Sequence, residues 1–165
     1  MKKWIKRVFL GLVAVFVLIQ LVPVNRANPP IDPAKKLMPP PEVEAILRVS
    51  CYDCHSNETR WPWYSYVAPL SWWIANHVHD GQRRLNLSTW ADIKPRAGRD
   101  EAYRGGPELS VVQYKRKLLG DMETDIQEGR MPISSYLIIH HDARMTPQQY
   151  QVVAAWLDAE MGKQK

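Results

Sequence analysis

Both cysteines of this chain fall in one five-residue string, Cys51-Tyr52-Asp53-Cys54-His55. Two cysteines cannot build a disulfide scaffold, so the 165 residues must be held by an ordinary core or by a bound group. The spacing has a chemical reading. Thiols three residues apart on one helical turn can each form a thioether with one of the two vinyl groups of a haem, and the adjacent histidine swings its imidazole under the iron. Three other chemistries use the same residue types. A thioredoxin-like pair wants a βαβ context, which the sequence lacks. A zinc site needs a fourth ligand, and a disulfide between near neighbours closes a tiny loop that stabilises little. Covalent haem c, one per chain, is the reading the string favours, with Cys51 and Cys54 as attachment points and His55 as an iron ligand.

The net charge of +5 is local. Lys2, Lys3, Lys6 and Arg7 precede the first acidic residue, Asp32, and without them 18 basic residues face 17 acidic ones. A nearly neutral remainder gives no nucleic-acid footprint. The basic start leads into an apolar run over residues 8–22, broken only by Gln20. Counted over residues 4–22 the segment is about 28 Å long as a helix, at roughly 1.5 Å per residue. A hydrocarbon core of about 30 Å is just reached if Lys6 and Arg7 snorkel. Residues 23–28 offer no good small-residue cleavage pattern, so an uncleaved signal anchor over residues 1–22 is preferred to a removed signal peptide. The expectation is a single-pass inner-membrane protein, its lipid contact through residues 4–22 and its haem domain on the periplasmic side.

Residues 23–41 hold seven prolines and read as an extended linker that spaces the domain from the membrane. The folded, haem-binding domain is expected over residues 42–162. Val43, Ile46 and Leu47 have helical spacing, as do Val67, Leu70, Trp73, Ile74 and Val78. Residues 91–107, rich in charge, Pro and Gly, read as a loop. A helix is expected from Leu109 to about Glu128, interrupted or kinked near Gly120. Thr146-Pro147-Gln148-Gln149 spells a capping box with proline at the first helical position, followed by an amphipathic helix through Val153, Trp156 and Leu157. No period-2 strand is present, so the class is all-α with long irregular loops. The aromatic cluster Trp61, Trp63, Tyr64, Tyr66, Trp72 and Trp73 is read as core in preference to a binding platform.

The string Cys51-Tyr52-Asp53-Cys54-His55-Ser56-Asn57, then Thr59 and Trp61-Pro62-Trp63-Tyr64, resembles the signature of the bacterial haem-binding domain family, cytochrome c-like proteins of the cell envelope. Matches continue in order at Pro69, Gly81, Leu85-Asn86, Ser88, Trp90, Met131-Pro132, Tyr136, His140, Ala143 and Trp156, covering residues 40–160. His141 departs from the pattern, which has proline there. The resemblance implies one haem c in an all-α, cytochrome c-like fold behind an N-terminal membrane segment.

Candidates for the sixth iron ligand are Met131, His140, His141, Met145, Met122, His77 and His79. Met131 ranks first. Pro132 restricts the residue before it and removes a backbone donor, and Gly129 lets the chain turn ahead of the methionine. His140 follows, and then an open position. His/Met ligation suits an electron carrier whose redox partner the sequence does not name. An open site suits a haem-based sensor, a ligand-binding module or a peroxidase-like enzyme, so enzymatic activity stays undecided.

Overall fold

Leu47, Val153 and Leu157 are withdrawn completely from solvent, and they come from opposite ends of the domain. In the computed structural model, which describes residues 2–95 and 109–164, seven α-helices and short 3-10 turns meet around them. Among the described residues every regular element is helical, as the all-α reading expects. The charged loop expected at residues 91–107 falls largely outside the described residues.

Helix α1, Lys2–Ile19, buries none of its residues. Among the described residues no helix is long and apolar enough to cross a membrane. That overturns the expected transmembrane helix, and with it the bilayer contact and the single-pass inner-membrane placement. The physical reason is where the helix stops. It ends at Ile19 rather than Val22, and Lys2, Lys3, Lys6 and Arg7 lie inside it. The uncharged stretch from Val8 to Ile19 spans only about 18 Å at roughly 1.5 Å per residue, against a hydrocarbon core of about 30 Å. Just past the helix, Gln20 is tied to the domain: Ala68 N–H donates to its Oε1 at 2.9 Å and its Nε2 donates to the Ala68 carbonyl at 3.2 Å.

The Pro-rich segment lies along the domain. Arg26 donates to the Ser65 carbonyl, Asn28 Nδ2 to the Thr59 carbonyl at 2.8 Å, and Asn57 Nδ2 to the Pro30 carbonyl. Leu37 is buried, and its N–H donates to Leu87 O at 2.8 Å. Proline gives this stretch an extended shape, and hydrogen bonds from Arg26, Asn28 and Leu37 and to the Pro30 carbonyl lash it down.

Helix α2 (Pro41–Ser50) starts on proline, carries Glu42 and Glu44 in its first turn and Arg48 in its last, and buries Val43, Ile46 and Leu47. These charges complement the helix dipole. Helix α3 (Tyr52–His55) is the motif's own single turn. Helix α4 (Leu70–Arg84) packs across it, and α5 (Val111–Gln127) packs on α7 (Pro147–Lys163). Helix α7 has the expected capping box of Thr146 and Gln149, and α5 has a second one from Ser110 and Gln113. Helix α5 runs unbroken through Gly120. A single interior glycine costs about 1 kcal/mol relative to alanine, which two capping bonds and packing on α7 offset. Between α5 and α7, helix α6 (Ser134–Leu137) is one turn between Met131 and His140.

The aromatic residues that close the core are Tyr52, Trp90, Tyr114 and Trp156. Trp63, Tyr66, Trp72 and Trp73 stand exposed. The core reading of that cluster is therefore corrected. A 3-10 turn (Trp63–Tyr66) and the start of α4 carry these rings on the outside of the fold.

Candidate functional site

Cys51 joins two helices: its N–H closes α2 on Leu47 O at 2.8 Å, and its own carbonyl accepts from His55 N–H at 2.9 Å. Cys51, Cys54 and His55 thus ride on one tight turn, and both cysteines are free thiols. Helix α4 comes so close to this turn that a Cβ on Gly81 would sit 2.5 Å from the Cys54 carbonyl oxygen. Glycine is required there by contact with backbone, which cannot swing away as a side chain would.

His55 is oriented from the end of α4. Its Nδ1 lies 3.0 Å from the Leu85 carbonyl oxygen. A carbonyl only accepts, so Nδ1 carries the proton and Nε2 keeps its lone pair, the tautomer a metal needs. Burial, partly opposed by the bond to Leu85, lowers the imidazole's proton affinity and keeps the ring neutral at pH 7. Burial also pushes the Cys51 thiol up to about 12 and the Cys54 thiol to about 11. Both are protonated at neutral pH, and low-pKa redox chemistry of the thioredoxin kind finds no support in them. Among the described residues no three His, Cys, Asp or Glu side chains gather as a metal site.

Two adjoining cavities share Cys51, His55, Arg84 and Met131 in their walls. One, of about 190 Å³, runs toward Leu85, Leu118, Met122 and Ile126. The other, of about 260 Å³, runs toward Cys54, Gly81, Ile133 and Tyr136. Cys51, Cys54, His55 and Met131, the four residues singled out in the sequence, all line the second. Met131 is held there by the turn that ends α5. Gly129 takes a φ of 68°, a left-handed conformation suited to glycine, and the Met131 N–H donates to Asp125 O at 3.0 Å.

The other ligand candidates are placed elsewhere. His140 lines neither cavity; its Nε2 shares a hydrogen bond of 2.5 Å with Tyr64 Oη, and its ring stacks on Tyr136 at 4.1 Å. His141 is exposed. His77 reaches the wall of the second cavity, but its Nδ1 is bonded to Trp73 O at 3.0 Å. Met145 packs against the core, and Met122 lines only the first cavity.

A polar group the sequence did not announce stands behind the motif. Asp53, buried between the cysteines, accepts from Arg60 Nε and Nη2, both at 3.1 Å, and from Tyr136 Oη at 2.7 Å. Burial, reinforced by the bond to Asp53, raises the Tyr136 phenol well above its ordinary value, so it stays a neutral donor. Arg60 is engaged by Asp53 and Arg83 by Asp80, while Arg84 lines both cavities. Gly81, Leu85 and Tyr136 lie on the family pattern, but only the folded chain brings them to the motif.

A protein-family model described as a haem-binding domain matches residues 14–159. No curated protein and no solved structure matches the chain.

Proposed function

The chain belongs to the haem-binding domain family, and from that premise we propose that it is a monohaem c-type electron carrier, with thioethers to Cys51 and Cys54 and iron held by His55 and Met131. The observation that carries this reading is that all four side chains line one cavity. The donor set fits the group. Two neutral thiols stand three residues apart on one turn, and an imidazole is locked in the Nδ1–H tautomer. The adjoining walls supply Leu85, Leu87, Leu118 and Ile126 for an apolar macrocycle.

When bound, the haem supplies a one-electron iron couple. Cys51 and Cys54 would hold the group by thioethers, each S–H adding across one vinyl group, sulfur to one carbon and hydrogen to the other, with no net oxidation or reduction. The Leu85 carbonyl keeps the His55 lone pair aimed outward and adds to its basicity. A thioether from Met131 favours ferrous iron and so raises the potential relative to a second imidazole. With His55 and Met131 both holding the iron, outside molecules would be kept from the metal, which would suit electron transfer.

The test is expression of the full chain with a haem-attachment system, followed by a denaturing gel stained for haem and by spectra with and without carbon monoxide. The expected result is a stained band, a sulfur-to-iron charge-transfer band when oxidised, and little carbon monoxide binding. A colourless band refutes covalent attachment. A stained band that lacks the charge-transfer feature and binds carbon monoxide freely moves the sensor or peroxidase-like reading ahead.

A further inference from the structure

A third cavity, of about 270 Å³, lies beyond Asp53, Cys54 and Tyr136, and none of Cys51, His55 or Met131 lines it. Its walls include Trp61, Trp73 and Ile74. Side chains that line it are left bare to solvent: Ile138 is 70% and Ile139 57% exposed, beside the half-exposed Trp73 and Leu70. Apolar residues gathered in this way mark a binding surface more than a solvated one.

The polar groups in the same wall are unevenly satisfied. Asp53, Arg60 and Tyr136 answer one another. His140 uses Nε2 on Tyr64, and its Nδ1 has no hydrogen-bond partner among the described residues. Thr59 also lines the wall, and its Oγ1 is the one buried side-chain oxygen or nitrogen among the described residues without a partner. Such a group stays unpaired at a cost that a suitable ligand atom would remove.

We propose that this cavity binds a planar aromatic molecule carrying a ring oxygen, of the phenol and quinone class, with its ring against Trp61 and Trp73 and its oxygen toward His140 and Thr59. The alternatives fit less well. An anion finds no unpaired arginine or lysine among the described lining residues, because Arg60 is neutralised by Asp53. A plain hydrocarbon leaves the His140 and Thr59 groups unanswered. A sugar would place hydroxyls against indoles and isoleucines. The site goes beyond the haem reading: it meets the haem cleft only through a shared wall of Asp53, Cys54, His77, Ile133 and Tyr136.

The experiment is calorimetric titration of the haem-loaded full chain with menadione, a methylated naphthoquinone, and with naphthalene as the oxygen-free control. Menadione should bind saturably at one site, and naphthalene at least about tenfold more weakly, because it leaves both His140 and Thr59 unanswered. His140→Ala and Thr59→Val should each weaken menadione about three- to tenfold. Ile139→Glu, at an exposed position where folding is safe, should weaken it at least as much. The haem spectrum should be unchanged in all three variants. Absence of saturable binding overturns the proposal, as do equal affinities for menadione and naphthalene. Variants that bind like the wild type overturn it as well. So does loss of the haem spectrum in Ile139→Glu, because the cavity would then house the porphyrin. A chain without a haem stain that still binds menadione at one site supports this proposal and removes only the covalent-haem reading.

Discussion

Nδ1 of His55 and the carbonyl oxygen of Leu85 lie 3.0 Å apart, a contact across thirty residues of chain. Leu85 caps α4, with its own N–H on Gly81 O at 2.9 Å. One residue therefore ends a helix with its N–H and aims an imidazole with its carbonyl. The motif supplies the histidine, and the end of α4 supplies the tautomer.

Met131→Ala should abolish the sulfur-to-iron charge-transfer band of the oxidised protein, lower its potential and admit carbon monoxide. Met122→Ala and His140→Ala should do none of these. Absorption spectra and a redox titration of the three variants decide it. If Met122→Ala removes the band instead, the ligand comes from the other cavity.

Gly81→Ala should destabilise the protein by about 1–3 kcal/mol, the usual cost of forcing extra atoms into a packed contact. The added Cβ meets the Cys54 carbonyl and must push α4 away from the motif turn. Haem-attachment yield should fall with it. Gly162→Ala, in α7 with nothing within 4 Å of the added carbon, should be neutral or stabilise by up to about 1 kcal/mol. Urea unfolding of both variants gives the comparison.

Tyr136→Phe removes one hydrogen bond to a charged acceptor and should cost about 1.5–3 kcal/mol. Asp53→Ala should cost more, since it leaves both Tyr136 and Arg60 without their partner. In a double-mutant cycle the two should be strongly non-additive, because they share one bond. Additive losses would mean that Tyr136 and Asp53 do not meet in solution.

Acid should weaken the fold through Glu44 and Glu58. Partial burial raises both carboxyls, but bonds to Lys36 and Arg48, with Tyr52 also donating to Glu44, outweigh it and hold both below the ordinary value. A carboxyl with a depressed folded pKa stabilises above its unfolded value, about 4.3 for Glu, and that stabilisation is lost as pH falls through the folded one. The melting temperature should therefore drop on going from about pH 5 to about pH 3. Lys36→Met should flatten the drop, and an unchanged acid slope in that variant would count against the pairing.

What the sequence alone determined is local. Cys51, Cys54 and His55 carry their chemistry in a spacing of one helical turn, legible without any fold. Helices α2, α4 and α7 are written in apolar periodicity, and α7 even in its capping box, because caps and faces are properties of neighbours in sequence. The apolar run at the N-terminus was legible too, but its length as a helix was not. Hydropathy says which residues avoid water, whereas the break after Ile19, with Gln20 bound to Ala68, is a tertiary event. Tertiary structure alone decided the rest. It brought Met131 to the cavity of His55 and turned His140 to Tyr64, though both are methionine or histidine on a loop and both match the family pattern. It also assembled Asp53, Arg60 and Tyr136, which stand up to 83 residues apart. A hydrogen bond at that separation depends on how whole helices pack, and no short window of sequence contains that information.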